Sequence, residues 1–195
     1  GELQLDGEAS LRDQGIERYA FGIRSAGIEY DLNDGVATRF GGNMQLTWNR
    51  GDRLPQLQGD VHVRHLEYSR PIELRSLGDF AATAVRRAFR RSRSEIRRYD
   101  PEDDFVQLDL AVQQHAPFRI RNNLIDAEVS LATDQQGFRI VGTNQRFGIR
   151  GAMELTRGQL FFQNNQFSVR RGQLLFDDDT RINPHVDVVA ATDIR

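Results

Sequence analysis

Residues Arg157–Phe176 read RGQLFFQNNQFSVRRGQLLF, and the stretch nearly repeats itself. Arg157-Gly158-Gln159-Leu160-Phe161-Phe162 returns as Arg171-Gly172-Gln173-Leu174-Leu175-Phe176 after 14 residues. That interval is too short for a helical repeat and suits one β-hairpin, two strands of ~5–6 residues with their turns. Apolar residues fall at alternate positions: Leu160 and Phe162, Phe167 and Val169, Leu174 and Phe176. Gln159, Gln163, Ser168, Arg170 and Gln173 stand between them. Successive strand side chains point to opposite faces, so one face of this hairpin is apolar and the other meets water. Phe161 and Leu175 break the alternation; each either covers the outer surface or marks a bulge that re-aims the strand.

The same alternation runs through most of the chain. It is seen at Tyr19/Phe21/Ile23, Met44/Leu46/Trp48, Val61/Val63, Val106/Leu108/Leu110/Val112, Phe118/Ile120, Ile125/Ala127/Val129/Leu131 and Phe147/Ile149. This is the pattern of half-buried strands. Turn residues separate the runs at Asn33-Asp34-Gly35, Gly41-Gly42-Asn43, Asn49–Asp52, Asn122-Asn123, Asp134–Gly137, Asn164-Asn165 and Asp177–Asp179. Strands succeed one another without a strand–helix–strand rhythm, which predicts a long, mostly antiparallel sheet. Gly59–Tyr68 and Gly151–Phe161 are alike, each with a glycine that opens a strand, as expected of a sheet extended by repeated hairpins.

One segment departs from this pattern. Leu77–Tyr99 carries Leu77, Phe80, Ala81, Ala84, Val85, Ala88 and Phe89 at three- and four-residue spacing, which predicts a helix. Its second half holds Arg86, Arg87, Arg90, Arg91, Arg93, Arg97 and Arg98 before Asp100-Pro101-Glu102-Asp103-Asp104 stops it. The expected organisation is a sheet half over 1–76, an Arg-rich insert over 77–104 and a second sheet half over 105–195, in one continuous domain.

Composition narrows the function. The net charge is −2, which gives no global field for nucleic acid. Cysteine is absent, so there is no disulfide, thiolate metal site or cysteine nucleophile. His62, His65, His115 and His185 have no zinc-ligand spacing, and Asp177-Asp178-Asp179 lacks the glycine and distal glutamate of a calcium loop. No nucleophile elbow, phosphate loop or dinucleotide fingerprint occurs. Nothing in the chain argues for an enzyme, a metal or a cofactor. Both ends read as strand, which points to an excerpt of a longer chain.

A sheet with one apolar face must bury that face. With a single helix expected, the sheet itself should curl into a trough with an apolar interior. The expected lining is Val61, Val63, Leu108, Leu110, Val112, Phe118, Ile120, Ile125, Val129, Phe147, Ile149, Leu160, Phe162, Phe167, Val169, Leu174, Phe176, Val186 and Val188. Such a groove suits acyl chains, because each buried CH₂ contributes ~0.8 kcal/mol and makes no directional demand. The Arg-rich segment reads either as a solvated helix face or as a contact for anionic headgroups through Arg86, Arg87, Arg90 and Arg91.

Several stretches together resemble a known family. Phe118-Arg119-Ile120-Arg121-Asn122-Asn123-Leu124-Ile125-Asp126-Ala127-Glu128, the two Arg-Gly-Gln-Leu copies with Phe167-Ser168-Val169-Arg170 between them, and Thr180-Arg181-Ile182-Asn183-Pro184-His185-Val186-Asp187 are similar to the C-terminal domain of the TamB family. Tyr68-Ser69-Arg70-Pro71-Ile72-Glu73-Leu74 resembles its repeats. The resemblance runs from about Gly41 to Arg195 and is densest from Asp104 onward; the Arg-rich insert matches none of it. It implies a β-taco, a sheet folded into a trough, in a periplasmic and inner-membrane-anchored protein of a diderm bacterium. It further implies kinship with AsmA-like bridge lipid-transfer proteins, phospholipids as cargo, both membranes as partners, and a role in outer-membrane assembly and protein secretion within the translocation and assembly module. The alternative it leaves is a β-edge scaffold for outer-membrane barrel proteins, working with a TamA-like partner.

Overall fold

The computed structural model describes residues 1–12, 15–32, 35–71, 99–132, 137–162 and 165–192. Its strands are β1 (Glu2–Arg12), β2 (Gly15–Leu32), β3 (Val36–Asn49), β4 (Gln56–Tyr68), β5 (Gln107–Gln114), β6 (Phe118–Arg121), β7 (Ile125–Leu131), β8 (Phe138–Thr143), β9 (Phe147–Phe162), β10 (Asn165–Asp178) and β11 (His185–Ala191). They form one mixed sheet in the order β1-β2-β3-β4-β5-β8-β9-β10-β11. β6 continues β5 along β4, and β7 lies between β6 and β9. The described residues are thus nearly all β, as the alternation requires.

One joint departs from the expected meander. β4 pairs in parallel with β5, from Gln56↔Gln107 to Val63↔Gln114, and with β6 at Glu67↔Arg119. Parallel neighbours need a return crossover of a dozen or more residues. The stretch between Tyr68 and Gln107 provides it. The helix expected over Leu77–Tyr99 falls within this return; residues 72–98, with Arg86, Arg87, Arg90 and Arg91, lie outside the described residues, and Tyr99 is not helical. A 3₁₀ turn, Pro101–Asp103, follows, capped by the Asp100 side chain, which accepts from the Glu102 N–H.

The end of the return is pinned to the sheet by polar groups. Asp104, 7 % exposed, accepts from the Tyr99 hydroxyl at 2.7 Å and from the Thr143 hydroxyl at 2.7 Å. The Asn144 side-chain carbonyl accepts from the Phe105 N–H at 2.9 Å. The Arg146 guanidinium lies 3.6 Å above the Tyr99 ring, a cation–π contact. The hydrogen bond to Asp104, with burial and the neighbouring negative charge, pushes the Tyr99 phenol above its ordinary pKa.

Two further local expectations are corrected. Gly41-Gly42-Asn43 is not a turn; it lies inside β3, and Gly41 and Gly42 are buried there. A Cβ on Gly42 would stand 2.4 Å from the Asp60 carbonyl oxygen, so the close approach of β4 demands glycine. Gly59 and Gly151 do not open strands either; both sit within long ones, with φ of 140° and 120°.

A line of irregularities crosses the sheet. Register shifts occur at Ser25/Ile28 against β3, at Arg39/Phe40 against β4, at Glu128/Val129 against β9 and at Val169/Arg171 against β11. Between them, β5 ends at Gln114 and β6 begins at Phe118. The pairings place these breaks side by side from β2 to β11, and they form a crease. Bulges bend strands and increase twist, so a row of them bends the sheet along that line.

The repeated Arg-Gly-Gln-Leu motif lies on this crease. Both copies belong to one hairpin: the first is in β9, the second in β10. The β9–β10 ladder lapses at Val169–Gly172 opposite Leu155–Gly158. A Cβ on Gly172 would come within 2.8 Å of Leu155 Cδ1, and one on Gly158 within 3.2 Å of Val169 Cγ2. Each copy's glycine therefore admits an apolar side chain of the other strand. Beyond the crease the apolar phase changes in both strands, from Leu155 to Leu160 in β9 and from Val169 to Leu174 in β10. Leu175 then points outward and is 47 % exposed.

Gln114 fills the gap left where β5 stops. Its side-chain amide donates to the Val129 carbonyl at 2.9 Å and its carbonyl accepts from the Leu131 N–H at 2.8 Å. The side chain takes the place of a missing strand residue and satisfies two backbone groups of β7.

Candidate functional site: the apolar face

The registers align apolar residues into rows across the sheet. One row is Leu5–Ile23–Met44–Gly59–Leu110–Ile140–Ile149; the next is Gly7–Phe21–Leu46–Leu57–Leu108–Gly142–Phe147. Across the crease, Ile125–Leu160–Phe167 continues the same face. All the expected lining residues fall on it. Leu110, Phe118, Val129, Ile149, Leu174 and Phe176 are buried. Val61, Val63, Leu108, Val112, Ile120, Ile125, Phe147, Leu160, Phe162, Phe167 and Val169 are half-buried, and Val186 and Val188, on edge strand β11, are exposed.

Over β5–β10 this face closes into a cluster. Phe118, Val129, Phe138, Ile149, Met153, Leu174 and Phe176 are buried together, with Val63, Leu66, Val112, Ile120 and Leu131 packed around them. The Phe138 and Phe176 rings meet edge to face at 5.7 Å, reaching across β9 where it carries Gly151. The cluster draws on both sides of the crease. Ile182, from the segment after β10, also packs against it. That segment is anchored by an Arg150–Asp179 ion pair and by Asp178, which accepts from the Thr180 N–H and hydroxyl at 2.8 Å. These two hydrogen bonds hold the Asp178 carboxyl below its ordinary pKa. The aspartate run is therefore partnered at all three positions, Asp177 by the His185 imidazole at 3.6 Å, where sequence reading leaves all three solvated.

Over β1–β3 the face is open. Leu3, Leu5 and Phe21 are 57 %, 67 % and 40 % exposed, and Leu11 and Ile16 are exposed beside them. Tyr19 stacks on Trp48 at 5.7 Å and meets Phe21 at 5.4 Å. The expected lining omits these residues, although their alternation is as plain as that of the rest.

The opposite face is polar. A hollow of about 1000 Å³ crosses it from β1 to β8, with Asp6, Glu8, Arg24, Asn43, Gln45, Gln58, Asp60, Asp109 and Arg139 along its walls. None of the expected lining residues contributes to it. Two of its ion pairs are cross-strand, Arg24 with Asp6 at 3.6 Å and Arg139 Nε with Asp109 at 2.8 Å. Further along the sheet Glu128 accepts from Arg157 at 2.8 Å and Arg119 at 3.4 Å, tying β9, β7 and β6 together. The Arg157 hydrogen bond, reinforced by Arg119, holds the Glu128 carboxyl below its ordinary pKa. The parallel register also brings the His62 and His115 rings to 5.7 Å, a proximity that sequence spacing does not reveal. Among the described residues no group of three or more His, Asp or Glu is arranged to hold a metal ion.

The architecture is that of a large creased β-sheet that presents one continuous apolar face, buried at one side and open at the other. The family profile of the TamB C-terminal domain matches residues 1–195, and the chain belongs to that family. The match includes the first forty residues, which the resemblance read from sequence motifs leaves out. No curated protein matches the chain. Membership makes this a TamB-like protein of the translocation and assembly module, envelope-associated in Gram-negative bacteria and concerned with outer-membrane assembly.

Proposed function

We propose that the apolar face carries phospholipid acyl chains through the periplasm between inner and outer membranes, as part of an inner-membrane-anchored protein. The observation that carries this reading is the continuity of the face. Exposed Leu5 and Phe21 share rows with the closed region across seven strands, and every position in those two rows is apolar or glycine, so an apolar ligand entering there meets no polar side chain on the way. A contiguous apolar surface of this kind, left open in a folded protein, marks an interaction site. Acyl chains match it because the face offers area without fixed hydrogen-bond partners. No catalytic group is needed for this role.

The test is phospholipid bound to gently purified protein, measured by mass spectrometry, alongside vesicle-to-vesicle transfer. Leu5→Asp and Phe21→Arg should leave thermal unfolding nearly unchanged and abolish both signals. Retained transfer in both folded variants overturns the reading.

A second reading rests on a different observation. β11 is paired on one side only among the described residues, and Val186, Val188 and Val189 are exposed along it. A strand of an outer-membrane barrel protein, or of a TamA-like partner, could add to this edge by backbone pairing. Asp187 is held by Arg171 at 3.0 Å, so the charge that would repel an incoming strand is already partnered. Protein that never carries phospholipid and yet protects its β11 amides from exchange when barrel-derived peptides are added favours this second role.

A further inference from the structure

We propose that His62 and His115 form a two-imidazole site for a divalent transition-metal ion of the zinc(II) kind, on the polar face at the crease. The inference stands apart from the lipid reading and follows from the parallel joint. His62 lies in β4, and His115 lies in the short stretch between β5 and β6. The parallel register sets Gln113 beside His62, and the His115 N–H then donates to the Val63 carbonyl at 3.0 Å, which holds His115 against β4. Val61, Val63 and Val112 point to the apolar face, so alternation turns His62 and His115 to the polar one. Their ring centres stand 5.7 Å apart.

The spacing selects the kind of ion. An imidazole nitrogen binds zinc(II) at about 2.0–2.1 Å, so two rings at a tetrahedral angle on one ion have their centres about 5.2 Å apart. Neighbouring rings in a square plane, as copper(II) or nickel(II) prefers, would come to about 4.5 Å. The observed 5.7 Å is nearer the tetrahedral value, and a small turn of the exposed His115 ring closes the difference.

The ring nitrogens are also free to bind. Among the described residues neither imidazole has a hydrogen bond or an ion pair, whereas His65 lies 3.9 Å from Glu67 and His185 lies 3.6 Å from Asp177. Gly41, opposite His62 on β3, presents no side chain, and the β5–β8 ladder stops at Val112. Asp60, two residues before His62 on the same face, accepts from Gln113 at 3.4 Å and adds negative charge beside the pair. Two protein ligands leave the other positions of the ion to water, so the site is open and exchangeable, unlike a closed structural zinc site. An ion held there clips β4 to the stretch where β5 gives way to β6, which is where the crease interrupts the ladder.

The test is calorimetric titration of zinc chloride into the full chain and into His62→Gln, His115→Gln, the double variant and His65→Gln. The expected result is one ion per chain, held about tenfold or more tighter by the wild type than by either single variant, because the second imidazole meets an ion already placed beside it. The double variant should bind no more weakly than the single ones, and His65→Gln should bind like wild type. Zinc should also raise the unfolding temperature of the wild type and leave that of His115→Gln unmoved. Equal affinity of wild type and His115→Gln overturns the proposal, as do single losses that add in the double variant, since either is the behaviour of separate surface histidines. Should His62→Gln fail to fold, His115→Gln, at an exposed position outside the strands, decides by the same criterion.

Discussion

Leu5 and Ile149 stand in one row of the same sheet, on the same face, and end in opposite environments: Leu5 is 67 % exposed and Ile149 is 8 % exposed. The first strands, β1–β3, are held by backbone ladders and by exposed pairs such as Arg39–Glu29 and Arg24–Asp6. Exposed pairs of this kind contribute ~0–1 kcal/mol each. The later strands, β5–β10, add a packed apolar cluster to the same ladders. Two regions with one strand pattern therefore differ in what their apolar residues do. In β5–β10 those residues pack into the core; in β1–β3 they stay exposed.

That contrast is broken or sharpened by substitutions made in pairs. The largest difference is expected between Phe176→Ala and Phe21→Ala. Phe176, 3 % exposed against Phe138, should lose about 3–5 kcal/mol of stability to the missing ring and the cavity left behind. Phe21, 40 % exposed and outside the packed cluster, should lose less, about 1–2 kcal/mol. Urea unfolding of both measures this, and equal losses would remove the distinction between the two regions.

Next come Gly148→Ala and Gly15→Ala. A Cβ on Gly148 would lie 1.8 Å from the Asp178 carbonyl oxygen, so backbone must move and about 1–3 kcal/mol or more should be lost. A Cβ on Gly15 meets nothing nearer than 3.8 Å, and its replacement should leave the midpoint of unfolding close to wild type.

Gln114→Leu sharpens the role of the crease. It leaves the Leu131 N–H and the Val129 carbonyl without the partner they now have, at about 1–3 kcal/mol for each group that stays buried and unpaired. Amide exchange should accelerate first at Leu131, with the β1–β2 amides unchanged. Uniform acceleration across the sheet would contradict a local splice.

The smallest effects concern pH. Glu128 is shifted down, so its pairing with Arg157 and Arg119 adds stability that is fully present above the ordinary carboxylate pKa and disappears as pH falls through the lowered one. Tyr99 is shifted up; its contribution is complete below the ordinary phenol pKa and disappears as pH rises through the raised one. Glu128→Gln should flatten the acid side of the melting-temperature profile and leave the alkaline side unchanged. Tyr99→Phe should do the reverse.

Much of this was legible in the residues. Alternation located the strands, and the same alternation placed every expected lining residue on one face. The Arg-Gly-Gln-Leu repeat marked one hairpin, yet its meaning was hidden. The two glycines matter because each faces a bulky residue of the other strand, Leu155 or Val169, and that opposition exists only once the register is set. The open rows at Leu3, Leu5 and Phe21 were readable as strands but not as exposed, since alternation reports orientation and carries no information about cover.

The sequence by itself determined that the protein is a β-sheet with one apolar and one polar face, because side-chain direction in a strand is a local consequence of a two-residue period. Only the tertiary structure decided that β4 and β5 run parallel, that the breaks in neighbouring strands line up as a crease, and that the apolar face closes over β5–β10 and stays open over β1–β3. The physical reason is that strand partner and register are chosen by hydrogen bonds between residues far apart in the chain, and no period within a strand records that choice.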